Sequence, residues 1–406
     1  KVVYGLIGYG GMGAGFHVKN LLTSDVCNLA GIYDIDEKKC ELARKNGIKV
    51  YSSREELLSD PTIDMVTIAT PNDVHEEIAI DALNHGKNVI SEKPVTLSME
   101  SLERMIAAAK ANHKIFSVHQ NRRFDVDALA MKKIHDSGEI GEVINIESRI
   151  HGSRGIPSDW RGIKKYGGGM LYDWGVHIID QACMILGYDI ASVRCTFDHI
   201  TNDEVDDGFQ LWLEFKNGQK AYLEVGTYNF IAMPRFYMRA KGGSAIITDW
   251  RVPAHVVKCK AWNEADVLPV QNASGLTKTM APRDSITVDE YDIEKPHSDV
   301  HDYYRNFVRA IDGLEEQMVT HDQMRCVLKI ILDAFKSAEN GGEKVKIDRI
   351  MSAALDLRDK DFDFIHLYGH WARERQIQRT PLINGGMTID SKRGSSSAHH
   401  NPFFAL

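Results

Sequence analysis

The sequence predicts an α/β protein. A doubly wound parallel sheet comes first, followed by an α+β portion built on a large, mostly antiparallel sheet. Three observations carry this expectation. Short β-rich runs alternate with stretches of helical period near the N-terminus, and a glycine-rich turn follows the first of those runs. After about residue 124 the rhythm changes to runs that alternate apolar and polar residues. The chain has 406 residues, 43% of them hydrophobic and 26% charged, enough to bury a sizeable core and more than one domain needs. The expected divisions are 1–122 for a dinucleotide-binding domain, 123–349 for a substrate-binding and oligomerisation domain, and 350–406 for a C-terminal extension.

Bulk properties narrow the partners. The formal net charge is -8 and no block of Lys or Arg stands out, which argues against nucleic acid or an anionic membrane as the main partner. No apolar run is long enough to span a bilayer. The N-terminus, KVVYGLIG, enters a strand-like run at once, without a leader-like apolar region and cleavage site. Cys27, Cys40, Cys183, Cys195, Cys259 and Cys326 are scattered with no CxxC pair, so no disulfide framework is expected. A cytoplasmic protein with a small-molecule partner is the expectation.

Residues 2–7 read as a strand buried on both faces. Gly8-Tyr9-Gly10-Gly11-Met12-Gly13 follows, matching GxGxxG, and then a helical run to about residue 22. In such a turn the first glycine permits the bend and the second lets a pyrophosphate approach the backbone. The third allows close helix packing, and the helix N-terminus favours the anion. The next strand, 29–33, ends in Asp34, near the spacing at which a carboxylate takes the ribose hydroxyls of NAD. Ile35, Asp36 and Glu37 follow with no Arg, so a 2′-phosphate would meet negative charge and NAD is expected over NADP. A short helix at 53–58 precedes a strand at 63–69, which closes at Thr70-Pro71-Asn72. A helix at 73–85 ends before Gly86, and a strand at 88–91 delivers Glu92-Lys93-Pro94. Ser98 caps a helix to 112, and a strand at 114–118 runs into His119-Gln120-Asn121-Arg122-Arg123-Phe124.

Ligands of open α/β sheets sit outside the carboxyl ends of the strands. That places Thr70, Pro71, Asn72 and Lys93 toward the nicotinamide, with His75, Glu92 and Gln120 as further cofactor-binding positions. A lysine at a strand end is ordinarily a solvated charge. Held beside a cofactor, it polarises a hydroxyl or shares its proton.

In the second portion a helix at 127–137, a turn at Gly138 and Gly141, and a strand at 142–151 come first. Further strands are expected at 192–197, 209–215, 220–228, 236–241, 245–250 and 255–261, with Asn217-Gly218 and Gly242-Gly243 as hairpin signals. Helices at 300–314 and 321–340 close the domain. The exposed face of such a sheet is a natural oligomer surface. The end of the chain mixes charge, aromatics and serine, and His399-His400 offers too few ligands for a metal site, so no metal is expected.

The chemistry converges on 167–181, GGGMLYDWGVHIIDQ. Asp173 and His177, four apart, share one helix face. The glycines are expected to bare the backbone where a ligand lies. By itself such a pair is ordinarily a solvated face or a satisfied core contact. The dinucleotide turn and Lys93 upstream turn it into a proton-transfer site assembled from both portions.

With GxGxxG, Glu92-Lys93-Pro94, Asn121-Arg122-Arg123-Phe124 and the Asp173/His177 stretch in this order, the chain resembles the Gfo/Idh/MocA oxidoreductase family over roughly residues 1–347. The resemblance implies an N-terminal Rossmann domain and a C-terminal domain with a large antiparallel sheet. It also implies NAD(P)-linked chemistry at a secondary hydroxyl of a sugar, cyclitol or related polyol. Lys93 is then the catalytic lysine, ahead of a cis bond to Pro94, with Asp173 the acid and His177 the acid/base histidine. Trp160-Arg161 is the segment reaching cofactor and substrate, and Arg122 and Tyr172 join the substrate contacts. The glycine stretch and HQNRRFD look most like members acting on glucosides or inositols. Oxidation at C3 of a glucoside is expected first and inositol 2-dehydrogenation second. A non-catalytic NAD-binding regulator would be expected to lack Lys93 or His177, and a glycosidase working through transient oxidation would need tightly held NAD. Trp160, Tyr166, Tyr172, Trp174 and Tyr228 are available to stack on a sugar, though each is ordinarily core.

Overall fold

A computed structural model of the chain describes residues 1–260 and 268–347. The expected extension 350–406, with His399 and His400, lies outside the described residues.

The first sheet is parallel throughout. It consists of β1 (Val2–Ile7), β2 (Cys27–Tyr33), β3 (Met65–Ile68), β4 (Asn88–Ser91) and β5 (Phe116–Val118), in the order β2-β1-β3-β4-β5. Every residue of β3, β4 and β5 is buried, as β-rich runs covered on both faces require. The connections are α1 (Lys19–Leu21, entered through a π-wound turn at Gly13–Val18), α2 (Glu37–Lys45), α3 (Arg54–Ser59), α4 (His75–Asn84) and α5 (Met99–Ala111). Asp36, Ser53 and Ser98 cap α2, α3 and α5 by accepting from Lys38, Glu56 and Ser101 N–H, so the expected Ser98 cap is present. Because β2 and β3 flank β1 on opposite sides, chain connections leave in opposite directions and open a crevice at the carboxyl edge.

The second sheet has nine strands: β6 (Val143–His151), β7 (Ile190–Asp198), β8 (Gly208–Phe215), β9 (Lys220–Gly226), β10 (Phe236–Ala240), β11 (Gly243–Ile247), β12 (Ala254–Cys259), β15 (Val288–Ile293) and β16 (Val345–Lys346). Between β12 and β15 a small hairpin pairs β13 (Val270–Asn272) with β14 (Gly275–Thr277). The order is β15-β12-β11-β10-β6-β9-β8-β7-β16, antiparallel except where β6 meets β9. Strand β8 shows the expected alternation: Phe209, Leu211, Leu213 and Phe215 are buried while Trp212 is 39% exposed. Helices α6 (Val126–Ser137), α7 (Val176–Leu186) and α9 (His321–Glu339) cover one face. Helix α8 (Asp302–Ile311) instead returns to the first sheet, where Tyr303, Tyr304 and Phe307 join the core of Tyr4, Leu6 and Phe116. Cys27, Cys40, Cys183, Cys195 and Cys326 are free thiols.

Both sheets lie in one compact unit, and the expected 122/123 division falls inside a 3-10 turn, Asn121–Phe124. Arg123 in that turn is 2% exposed. Its Nε and Nη2 donate to the two carboxylate oxygens of Asp180 on α7 at 2.7 and 2.6 Å. Nη2 also donates to Tyr188 at 3.1 Å, and Nη1 donates to Met318 O and Gln323 Oε1 at 2.7 and 2.9 Å. All five N–H groups are used. Removing one partner from a pair this buried leaves an uncompensated charge, so Asp180→Asn is expected to cost about 3 kcal/mol in urea denaturation at pH 7. Glu142→Gln, which breaks the exposed pair with Lys241, should cost under about 1 kcal/mol. Equal effects for the two variants would overturn this account.

Candidate active site

The GxGxxG turn is tight at its base and open above. Gly8 has φ +97°, and a Cβ there would lie 2.5 Å from Ala69 O; one on Gly13 would lie 2.0 Å from Gly8 O. At Gly11 nothing lies within 4 Å, and at Gly10 only Lys39 Nζ comes near, at 3.9 Å. This is the division of labour that close packing and pyrophosphate approach demand. Asp34 at the end of β2 accepts from Tyr9 N at 2.7 Å and Asp36 N at 2.8 Å, which binds the acid to the turn. Met12 is half-buried at the start of the helical run.

The neighbouring strand ends complete this edge. Asn72 Nδ2 donates to Gly167 O at 2.9 Å, tying the loop after β3 to the glycine turn of the second portion. Pro71 is exposed beside it. Thr70 Oγ1, Gln120 Oε1, Asn121 Oδ1 and His177 Nδ1 are buried without hydrogen-bond partners. Thr70 and Gln120 follow the carboxyl ends of β3 and β5, so their free side-chain oxygens fit a polar ligand such as NAD.

Two positions expected to touch cofactor are instead inside the scaffold. His75 is fully buried, with Nδ1 2.9 Å from Pro94 O and Nε2 3.0 Å from Thr70 O, so it braces the two loops against each other. Glu92 is buried between two imidazoles, with His17 Nε2 and His119 Nδ1 each 2.8 Å from its Oε1 and Lys93 N donating to its Oε2 at 3.2 Å. The hydroxyl of Tyr304 sits 2.7 Å from His17 Nδ1. Burial pushes the Glu92 carboxyl up, but His119 and His17 outweigh it and hold it well below the usual range. His17, Glu92 and His119 stand close enough to share a metal ion. The same contacts read equally as a carboxylate satisfied by imidazole and backbone N–H groups.

The Lys93-Pro94 bond is cis, as the resemblance implied. Lys93 Nζ donates to both the carbonyl oxygen and Oδ1 of Asp173, each at 2.8 Å, and Arg161 Nε donates to Asp173 Oδ2 at 3.1 Å. Burial raises the Asp173 pKa, yet Lys93 and Arg161 overcome it and the carboxyl stays ionised. Asp173 therefore serves the lysine rather than the imidazole. It lies in a π-wound turn, Leu171–Gly175, that leads directly into α7. His177, in the first turn of α7, is 5% exposed and its ring meets Trp174 edge-on at 5.9 Å. Burial lowers its pKa first, and the cations Lys93 and Arg122 lower it further, to well below the ordinary histidine value.

The glycines of this stretch do not clear space for a ligand. A Cβ on Gly168 would lie 2.3 Å from Arg161 O, one on Gly169 (φ +108°) 2.2 Å from Asp206 Oδ1, and one on Gly167 3.0 Å from Leu97. Protein fills all three places. Asp206 was not foreseen: its Oδ2 accepts from Leu171 N at 2.8 Å and its carbonyl from Met170 N at 3.0 Å, so it fixes the start of the helix. Burial raises its pKa to about 8.

Arg122, expected to contact substrate, lies among aromatic rings. Its guanidinium lies 4.1 Å over Trp174 and 5.8 Å from Trp250, and the two indoles meet at 6.1 Å. Trp250, 40% exposed and backed by Arg235 at 4.7 Å, was expected only as the end of a strand at 245–250; the strand stops at Ile247 and the indole lies in the turn beyond it. Tyr172 is not brought to the site; its ring packs on Phe335 of α9 at 4.8 Å. Trp160 stacks on Arg161 at 4.7 Å, Tyr166 lies near Lys165, and Tyr228 packs on Phe230.

A Rossmann-type crevice facing a Lys/Asp/His cluster defines a dinucleotide-dependent oxidoreductase class of fold. Residues 2–120 match the family model described as "Oxidoreductase family, NAD-binding Rossmann fold", and 128–246 match the "GFO/IDH/MocA C-terminal domain". The chain belongs to the Gfo/Idh/MocA oxidoreductase family, whose N-terminal domain binds NAD. A solved NAD-binding protein from Listeria innocua is 41% identical, covering 86% of this chain and 99% of its own, with a TM-score of 0.82. A scyllo-inositol 2-dehydrogenase (NADP(+)) from Bacillus subtilis is 31% identical over 60% of this chain and 67% of its own length. An uncharacterised oxidoreductase from Schizosaccharomyces pombe is 36% identical, over 44% of this chain; the chain thus spans about half, 49%, of that curated relative. Residues 327–406 match a different model, the "Glycosyl hydrolase family 36 N-terminal domain". No helix among the described residues is long and apolar enough to cross a membrane.

The depressed His177 pKa fixes a sign. The unfolded chain takes up this proton below the ordinary value of about 6.5, which the folded state refuses, so the contribution is lost as pH falls through that value. In imidazole ¹⁵N spectra His177 is expected to stay neutral at pH 6.5, and Lys93→Met is expected to raise its pKa. Protonation of wild-type His177 at or above pH 6.5 would overturn the assignment.

Proposed function

We propose that this chain is an NAD-dependent oxidoreductase that oxidises a secondary ring hydroxyl of a sugar, glycoside or cyclitol. The observation that carries this reading is a lysine ammonium oriented by Asp173 beside a buried, neutral histidine on the same helical run. When bound, NAD supplies the nicotinamide that accepts the hydride. The substrate hydroxyl gives its proton to the His177 imidazole, which is neutral at pH 7 and ready to accept it. Lys93 donates a hydrogen bond to the same oxygen as negative charge grows there, leaving a ketone as product. Asp173, itself held by Arg161, keeps the ammonium in place. Trp174 and Trp250 offer apolar surface for the face of a ring.

A glycoside is the first substrate class, and C3 of a glucoside its first position. The match of residues 327–406 to a glycosyl hydrolase model supports it, since it joins carbohydrate-family sequence to this site in one chain. Inositol is the second reading, supported by the similarity to an inositol dehydrogenase. A regulator without catalysis is disfavoured because Lys93 and His177 are both present and both at the crevice. The open face of the second sheet, where Arg194 lies 5.5 Å over the half-exposed Trp212, is the proposed surface for self-association.

Incubation with NAD and a panel of glucosides, free hexoses and inositols, read by NADH absorbance and product mass, is expected to yield a product two hydrogens lighter than its substrate. His177→Ala should lower turnover about 10²-fold or more with NAD affinity unchanged in a fluorescence titration. Near-normal turnover by that variant, or no oxidised product from any polyol, would sink the proposal. Light scattering should give a multiple of the chain mass for the wild type and a single chain for Trp212→Glu.

A further inference from the structure

Trp250 lies in the turn that follows β11, and that turn is tied down. Val252 N donates to Asp249 O at 3.2 Å, Arg251 N donates to the Asp249 carboxylate at 3.0 Å, and Lys295 Nζ donates to Arg251 O. The indole rests on the Arg235 guanidinium, 4.7 Å from the ring centre. Arg235 is buried and held on every side. It pairs with Asp127 at 2.9 Å, donates to Ser148 Oγ, and donates to Gln181 Oε1 at 2.9 Å. A single exposed tryptophan is ordinary. One fixed from below by a buried guanidinium is a preformed platform, because it is ordered before a ligand arrives.

The rings run in series from the reacting end: His177, then Trp174 at 5.9 Å, then Trp250 a further 6.1 Å on. A ring whose hydroxyl meets His177 therefore has Trp174 beside it, and Trp250 serves whatever is attached to that ring. The surroundings of Trp250 are apolar. Phe236 at the start of β10 pairs with Ile247 at the end of β11, so the segment entering β10 and the turn leaving β11 emerge at the same end of the sheet. That segment exposes Phe230, Ile231 and Met233, and the turn exposes Val252. The charged groups of the turn, Asp249 and Arg251, are paired with each other at 2.7 Å. A second sugar would need hydrogen-bond partners there, whereas a flat apolar ring needs none.

We propose that Trp250 determines specificity by stacking on an aromatic ring joined to the ring that is oxidised, so that the substrate is a glycoside with an aromatic aglycone. The inference rests on the proposed oxidation of a ring hydroxyl and names the substrate class of that site. Trp250 takes the aglycone in an offset or edge-to-face contact. That contact is remote from the reacting atoms and is the same in ground and transition states, so it acts on KM and leaves kcat to Lys93 and His177.

The test compares phenyl with methyl glycosides of glucose, galactose and mannose, in both anomeric forms, as pairs that share one sugar ring. Turnover is read by NADH formation, and binding by calorimetric titration of the NADH-loaded protein. The wild type is expected to favour the phenyl member of a pair by about tenfold in kcat/KM, through KM. Trp250→Ala should reduce that preference to under about threefold, and Trp250→Phe should keep most of it. Equal values for phenyl and methyl glycosides in the wild type would overturn the proposal. So would a disaccharide such as cellobiose outdoing the phenyl glucoside, which would place a second sugar at the indole. An unchanged preference in Trp250→Ala would overturn it too, and loss of self-association alongside would assign the indole to a contact between copies. Absence of any oxidised product, with phenyl glycosides still bound about tenfold tighter than methyl ones, would overturn only the proposed function. Absence of both oxidation and binding would overturn the two together.

Discussion

The site depends on one buried guanidinium. Arg123 leaves the end of β5, the last strand of the parallel sheet, and is gripped by Asp180 of α7, the helix that carries His177. Its remaining N–H groups reach Tyr188, Met318 and Gln323, so the connection into α9 is fixed by the same residue. A buried ion pair is weak evidence for stability, because desolvation offsets much of the attraction. Its value here is geometric. A planar group with five satisfied donors allows α7 only one position against the parallel sheet, and that position sets the distance between Lys93 and Asp173. Gln181 on α7 adds to this by donating to Arg122 O at 2.7 Å and accepting from Arg235 Nη2 at 2.9 Å.

Around His177 the charges are arranged to keep its imidazole neutral. Lys93 and Arg122 both disfavour an imidazolium at His177, and burial disfavours it more. The compensating carboxylate, Asp173, takes two cations to itself and offers His177 no hydrogen bond among the described contacts. Behind Lys93 the strand end is pinned by Glu92, whose carboxylate meets His17 from the turn before α1 and His119 from the end of β5. Two acids one residue and one helix away from Lys93 thus have separate tasks: Glu92 anchors its backbone, and Asp173 aims its ammonium.

The sequence made the scaffold legible where a single local signal sufficed. The glycine turn, Asp34, Ser98 and the strand at 88–91 each follow from residues a few positions apart, and the structure has them there. Strands β15 and β16 escaped because they are short or charged and are held by pairing partners distant in the chain. The same limit applies to the site. Lys93, Asp173, His177 and Arg122 stand in recognisable motifs. Asp206 and Trp250 are brought in by long-range proximity, which no local motif registers. His75 and Glu92 stood in the right motifs, but burial, which a motif does not encode, turned them into braces.

The glycines at 167–169 show how a correct location can carry a wrong reason. Absent side chains invite the idea of an open space, yet here each bare Cα faces Leu97, Arg161 O or Asp206. What the glycines permit is close approach of the chain to itself. Asp206 can then reach the first N–H groups of the helix, and Asn72 can reach Gly167 O across from the parallel sheet. The helix start is held at both ends of the turn before any ligand arrives. The proposed substrate position is then beyond the turn, on the side of His177 where Trp174, Trp250 and Arg122 stand partly exposed. A wall of two indoles and a guanidinium presents apolar faces and hydrogen-bond donors together. Such a surface suits the proposed polyhydroxylated ring, whose C–H face and hydroxyl rim need different partners at once.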